Sequence, residues 1–365
     1  MVFELAELLE IDGSFGEGGG SIIRIALPLA ALLNRKVKVF NIRANRPKPG
    51  MKMQHVVGAK AVKWLSNASV SGLSLESKEM TFAPGKLQGG NFSLNIQTAG
   101  SISLLLQSVM PLAPFLPAPL TARVQGGTDV SWSPPIDFTG QVLFPALHLM
   151  GYNGSIKVIK RGYFPEGGGI VTGQAKPVKH LKALNLTEFG ELDYVSGVSH
   201  CVNYPSFTAR DAVSGAKNVL SGNGLADASF SIECQEKVPS RNKGLGVMLL
   251  GVTTSNARIA SSALLSRDLP TAEKVGEAAA GTLLKYLEFK APVDPHLQDQ
   301  LLVYMALAEG KSFFLTHPLT EHAKTNIWAI EQLLPVKFRV EGEEVQGKEL
   351  SLVSVDGVGF NNAHL

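Results

Sequence analysis

Apolar and polar residues alternate in Lys38–Arg43, Phe92–Ile96 and Leu120–Val124, the period of a half-buried strand. Over Ser21–Leu33, Gln54–Ser66, Ser101–Pro111 and Val142–Met150 the apolar positions recur at helical spacing. Strand and helix thus interleave in units of roughly 70 to 80 residues, which predicts an internally repeated α/β architecture. After Lys176-Pro177 the pattern changes. A segment from Leu184 to Phe289 predicts strands of its own over 192–202, 228–236 and 244–253, and helices over 209–220 and 270–287. Polar or proline-containing stretches flank it near Leu184 and Pro292, so it reads as an inserted domain serving stability, assembly or substrate reach.

At 365 residues and 45% hydrophobic, the chain can bury a large core. No apolar run reaches the roughly 18 to 20 residues of a membrane span. The most apolar stretch, Leu104–Leu120, is cut by Pro111, Pro114, Pro117 and Pro119. Met1-Val2-Phe3-Glu4 has neither a basic n-region nor an apolar h-region, so a cytoplasmic protein is expected. Cys201 and Cys234 are too few for a disulfide framework or a zinc site and read as buried small hydrophobes.

Phe15-Gly16-Glu17-Gly18-Gly19-Gly20 recurs as Phe164-Pro165-Glu166-Gly167-Gly168-Gly169. Successive glycines lack every Cβ, so backbone N–H groups can converge on an anion, and the adjacent glutamate can bind the cation that accompanies phosphates. A hairpin or strand-to-helix turn without a ligand fits the same residues. The surroundings favour the first copy. From Ser21 to Leu75 there is no acidic residue, while Arg24, Arg35, Lys36, Lys38, Arg43, Arg46, Lys48, Lys52, Lys60 and Lys63 all fall there, in a chain whose net charge is only +3. Such a one-signed field collects phosphates. Pro47 and Pro49 predict a fixed loop, and fixed arginines suit phosphate.

Thr320 is a predicted N-cap, with Ala323, Ile327, Ile330 and Leu334 on the buried stripe of the helix it opens. His322 then lies in the first turn, where the helix dipole favours the neutral ring and attracts phosphate. A neutral ring nitrogen facing phosphorus is a nucleophile, although an ordinary surface histidine fits the spacing too. His317, before Pro318, falls in a loop. A further helix starts near His296-Leu297-Gln298-Asp299-Gln300 and is predicted to stop at Gly310. Asp299 and Gln300 suit a nucleobase or ribose edge, or a first-turn acid alone. Gln107, polar among leucines, needs a partner. Gly126-Gly127-Thr128-Asp129 with Pro134-Pro135 is a candidate pocket wall. Neither a Walker motif nor the dinucleotide fingerprint is present.

Taken together, several motifs resemble the RNA 3'-terminal phosphate cyclases over nearly the whole chain. They are Asp12-Gly13-x-x-Gly16-Glu17-Gly18-Gly19-Gly20-x-x-x-Arg24, Arg43-x-x-Arg46-x-Lys48-Pro49-Gly50 with Gln54-His55, Gly126–Asp129, Gly162–Gly169, Asp299-Gln300 and His322-x-x-Thr325-Asn326. The resemblance implies an α/β fold, layered α+β, in which three repeated units of two helices on a four-stranded sheet form the core. That core would cover 1–184 and 289–365, with a small α/β insert over 185–288. It implies a ligase that uses ATP and Mg²⁺ or Mn²⁺ to convert the 3'-phosphate end of RNA to a 2',3'-cyclic phosphate. AMP would pass through His322 and then an RNA(3')pp(5')A end. Glu17 would hold the metal, and Arg24, Arg43 and Arg46 would bind phosphates. Gln107, Pro134 and His296, Leu297, Gln298, Asp299 and Gln300 would form the adenylate pocket. His296 stands where family members often carry an aromatic, and Gln54 and His55 would lie near the RNA end. No membrane partner is implied, and a homo-oligomer stays open. Two rivals share the fold: a non-catalytic relative in ribosomal RNA processing, which the resemblance implies lacks the nucleophile, and an enolpyruvyl-type transferase, in which His322 would carry no covalent group.

Overall fold

The computed structural model describes residues 8–365, so Met1-Val2-Phe3-Glu4 lies outside the described residues. The first sheet takes β1 (Leu9–Asp12), β2 (Val37–Phe40), β3 (Ser69–Ser71) and β4 (Met80–Ala83), with α1 (Ser21–Leu32) after β1 and α2 (Met53–Leu65) after β2. Its order is β1-β2-β4-β3, with β1 and β2 parallel and the other pairs antiparallel.

The second sheet repeats this plan. It contains β5 (Gly90–Asn95), α3 (Ile102–Val109), β6 (Leu120–Gly126), the short helices α4 (Ile136–Phe138) and α5 (Phe144–Leu149) joined by a π-helical turn, β7 (Asn153–Lys160) and β8 (Gly169–Lys176). Its order is β5-β6-β8-β7, again parallel once and antiparallel twice.

After β9 (Asn185–Leu186) the chain departs to a separate sheet: β10 (Leu192–Val202), α6 (Ser206–Ser221), β11 (Ser229–Gln235), β12 (Gly244–Thr253), β13 (Arg258–Leu264) and α7 (Ala272–Leu287), ordered β11-β10-β12-β13. It returns through α8 (Gln298–Leu307), β14 (Glu309–Thr316), α9 (Glu321–Leu333), β15 (Arg339–Val345) and β16 (Lys348–Val358). These close a sheet ordered β9-β14-β16-β15 with β9 and β14 parallel, so the plan of the first two sheets recurs a third time. The protein is therefore a mixed α/β chain of layered sheets and helices.

Several local expectations shift. Gly310, expected to stop a helix, sits inside β14 at φ +93°. The strand expected through Arg43 ends at Phe40, because Asn41 and Arg43 adopt φ of 52° and 57°, outside the strand region. Asn185–Leu186, expected in the insert, pairs with Phe313–Phe314 of β14. Strand β13 was not expected at all. Cys201 is fully buried but faces Cys234 in register across β10 and β11, and both are free thiols.

Every residue of α1 is buried, as expected of a helix apolar on all sides, and it packs centrally against α2, α3 and α9. The fourth sheet has its own apolar core around Cys201, Ala212, Leu249, Val275 and Leu283. A buried ionic cluster joins it to the second sheet. The Arg161 guanidinium donates to Asp137 on one side and to Glu233 of β11 on the other, at 2.7 Å from Nη2, and lies 3.4 Å from Asp129. The Tyr163 hydroxyl meets His200 Nδ1 at 2.6 Å, and His200 Nε2 lies 3.3 Å from Asp129 Oδ1. Asp129, Asp137 and His200 stand close enough to hold a metal ion, but the guanidinium already occupies the charge centre of the group. Removing one partner of such a group leaves buried charge uncompensated. Arg161→Ala is expected to lower unfolding free energy by about 3–5 kcal/mol. Chemical denaturation measures it, and a loss under about 1 kcal/mol would mean that water reaches the carboxylates.

Candidate active site

The first glycine turn joins β1 to α1, and its glycines are set by what stands where a Cβ would go. At Gly16 it would meet Thr325 Oγ1 at 2.5 Å, and at Gly18 the Asn45 amide. At Gly19 it would lie 2.7 Å from Glu17 Oε1 and 2.9 Å from Arg46 Nη2, and at Gly20 it would strike the His55 ring. Gly16 and Gly18 also need φ of +57° and +56°. The loop is thus stripped of side chains so that those of other elements can reach it. The second glycine run differs. It lies in the hairpin between β7 and β8, leads into a strand, and opens no helix that could attract an anion. The two copies therefore occupy different places in the repeated sheets.

His322 arrives on α9 from the far end of the chain. Thr320 caps that helix as expected, its Oγ1 accepting from Ala323 N at 3.2 Å, while Gln298 Oε1 accepts from Thr320 N at 3.1 Å. Thr325 Oγ1 donates to Glu321 O at 2.7 Å and accepts from Glu17 N at 3.1 Å, which clamps the glycine turn to the helix. Phe15 and Trp328 stack beside this clamp with centroids 4.1 Å apart. As a result His322 Nδ1 comes within 2.6 Å of Glu17 Oε2, while half of the imidazole stays exposed. Burial holds the ring below its ordinary value, with Arg24 and Arg46 acting in the same direction and Asp299 against it. The neutral form is favoured at neutral pH.

The arginines reach this point by different routes. Arg46 Nη2 contacts Glu17 Oε1. Arg24 is buried, and its Nε donates to Gln107 Oε1 at 2.9 Å, which is the partner Gln107 needs. Burial draws the Arg24 guanidinium down to about 10, so it stays cationic at neutral pH. Arg43 Nη1 donates to Lys48 O at 2.7 Å and Gly50 O at 2.8 Å, which makes the loop between them rigid. His55 Nδ1 accepts from Lys52 N at 3.1 Å, and burial followed by Arg24 and Arg43 pushes its pKa to about 3. Lys38 of the same basic run turns away to Glu10 and Glu79.

Of the residues expected around the adenylate, Gln107, Asp299 and Gln300 line one cavity with Arg24, Ser21 and Asn326. At about 20 Å³ it takes one water molecule and no base. Leu297 and Gln298 are buried behind it, and Gln298 supports the cap of α9. His296 packs edge-on to Phe138 with centroids 6.1 Å apart, and Pro134 O accepts from Ser103 Oγ at 2.7 Å; neither lines the cavity. His317 is buried and packed on Phe289 at 4.3 Å, away from the turn.

Residues 15–340 match the family model described as RNA 3'-terminal phosphate cyclase. The chain belongs to this family. It is 43% identical to the RNA 3'-terminal phosphate cyclase of Pyrobaculum aerophilum, covering 97% of this chain and 99% of that one. It is 40% identical to that of Methanopyrus kandleri, over 92% and 96% of the two chains, and 40% identical to that of Pyrococcus furiosus, over 95% and 99%.

Within this cyclase-family fold, Asn45, Thr325 and Trp328 complete the neighbourhood of Glu17, and the sequence reading gave none of them a role there. Their only signal is the glycine requirement, which says that something large approaches but not what. Gly20→Ala would place a methyl in the His55 ring, at a cost of about 1–3 kcal/mol. Gly20→Ala with His55→Ala should recover much of this, as a non-additive cycle in chemical denaturation. Additive losses would mean that methyl and ring never meet.

Proposed function

We propose that this chain uses ATP to close the 3'-terminal phosphate of RNA into a 2',3'-cyclic phosphate; its relatives carry the name RNA 3'-terminal phosphate cyclase. The observation that carries the mechanism is the Glu17–His322 contact. A carboxylate 2.6 Å from Nδ1 favours the proton on that nitrogen and leaves Nε2 with its lone pair free.

His322 Nε2 attacks the α-phosphorus of ATP. The N–P bond forms, the bond to the bridging oxygen breaks, and pyrophosphate leaves with the electron pair. An oxygen of the RNA 3'-phosphate then displaces the imidazole, giving the RNA(3')pp(5')A end. The ribose 2'-OH loses its proton and attacks the activated phosphorus, expelling AMP. Nucleophile and phosphorus share one ribose in this last step, so proximity favours it. Arg46 and Arg43, on the rigid loop, and the buried Arg24 offset charge on the transferring and departing phosphates. Gln107 orients Arg24, and Asp299 sets the local charge balance. Pro134 and His296 border the adenylate outside the small cavity, and Asp299 and Gln300 border it from the cavity wall.

Glu17 Oε1 faces Arg46 Nη2 and Oε2 faces His322 Nδ1, both buried and neither in an aligned hydrogen bond, so a divalent cation bound there would take the place of the Arg46 contact. Mg²⁺ or Mn²⁺ there would be held by Glu17 together with phosphate oxygens and would draw charge from the phosphates. We also assign the chain a discontinuous core and an insert that begins after β9, since Asn185–Leu186 pairs within the third repeated sheet.

Incubation with ATP labelled at the α-phosphorus, followed by denaturation, should leave acid-labile label on the protein and none on His322→Ala. Undiminished label on the variant would move the nucleophile elsewhere. The imidazole is held below 6.5, so labelling should persist down to that pH and fall only below it. A rate already halved above pH 6.5 would contradict the neutral nucleophile. Glu17→Ala should slow labelling most at limiting Mg²⁺. Equal rates in variant and parent there would remove the metal role.

A further inference from the structure

The largest cavity described lies away from the glycine turn, between the second sheet and the fourth. Its volume is about 570 Å³, within the roughly 300–1,000 Å³ usual for organic ligands. One end is formed by Gln54 and Ser101, where Gln54 Oε1 accepts from Ser101 N at 2.9 Å. Gln54 is the neighbour of His55, whose ring sits beneath Gly20 and Arg24, so this end opens beside the candidate active site. The other walls are the Ser131–Ser133 loop, Tyr163 and Phe164, and Lys243, Leu265 and Ser266, which flank β12 and β13 of the fourth sheet.

Two aromatic side chains here have no apolar cover. Trp132 is 99% exposed and held at φ +68°, a conformation unfavourable for a bulky residue. Phe164, which precedes the second glycine run, is 76% exposed. That run explains its position: Gly167 and Gly168 take φ of 71° and 73°, and Gly167 packs its backbone on Ala99, another residue of the cleft wall. Bases outnumber acids on the rim. The 236–243 loop carries exposed Lys237, Arg241 and Lys243 against Glu236, Arg267 follows Ser266 beside Asp268, and Glu166 follows Phe164-Pro165. The carboxylate in the lining, Asp129, lies 3.4 Å from the Arg161 guanidinium, which it shares with Asp137 and Glu233.

We propose that this cleft holds the RNA strand upstream of its 3' end, with bases stacked on Trp132 and Phe164 and phosphates along the basic rim. This rests on the cyclase reading and adds a substrate-binding surface to which the fourth sheet contributes one wall. Single-stranded nucleic acid is gripped in this way elsewhere, by sequence-tolerant stacking above a cationic track. The second glycine run then belongs to substrate binding and the first to chemistry.

The test compares 3'-phosphorylated oligonucleotides of increasing length, from a dinucleotide to an octanucleotide, as substrates for the parent, Trp132→Ala, Phe164→Ala and Lys243→Glu. ATP labelling of His322, which needs no RNA, serves as the control. In the parent, KM should fall as the strand lengthens. In Trp132→Ala and Phe164→Ala, KM for the octanucleotide should rise about tenfold towards that of the dinucleotide, with labelling unchanged. Lys243→Glu should weaken binding and flatten its salt dependence. Length dependence preserved in the aromatic variants, with labelling intact, overturns this inference alone. A parent that takes no label and cyclises no RNA overturns the proposed function and this inference with it.

Discussion

The clamp between Thr325 and the backbone of Glu17 spans 308 residues of sequence, and the candidate site exists only because it forms. Neither half of the site is complete in its own repeated unit. The first unit brings a glycine turn, a basic loop and a carboxylate; the third brings the imidazole at the start of a capped helix. Thr325 serves both, bonding to its own helix and to the turn. The Phe15–Trp328 stack holds the turn against α9 beside the clamp. A hydroxyl and a pair of rings thus determine whether histidine and glutamate meet.

Charge in this protein is used in two distinct ways. Around Glu17 the groups are partly exposed and imperfectly aligned, with carboxylate oxygens that meet Arg46 and His322 and an imidazole whose protonation burial disfavours. Such incomplete satisfaction is what a site that exchanges phosphates requires. Around Arg161 the guanidinium, Asp129 and Asp137 are buried and Glu233 closes the group from the exposed side, and the result is a joint between sheets. Both contain carboxylate, imidazole and guanidinium. What separates them is that the guanidinium touching Glu17, that of Arg46, is partly exposed, whereas that of Arg161 is enclosed.

Three of the four strands and both helices of the fourth sheet were legible to within a few residues, because turn residues bound those periodic runs; β13 was not. The cap at Thr320 and the exposure of His322 were legible too, since both depend on local geometry. The path of the chain at Arg43 was not. Its left-handed backbone is stabilised by carbonyls five and seven residues on, which periodicity does not report. The two glycine runs read alike because glycine marks freedom of the backbone and carries no sign of what approaches it. The Arg161 cluster escaped for a related reason: its members are scattered from Asp129 to Glu233, and only packing gathers them.

Strand β9 waits for a partner that lies beyond the whole fourth sheet; Leu184 N reaches Ser312 Oγ across 128 residues of chain. Contacts of such long separation form slowly, and a chain emerging from the ribosome folds its early units first. The first two sheets and the basic loop can therefore be in place while α9 has yet to be synthesised. During synthesis the nascent protein presents Arg24, Arg43 and Arg46 before His322 has been made, so the two halves of the candidate site meet only after α9 has emerged.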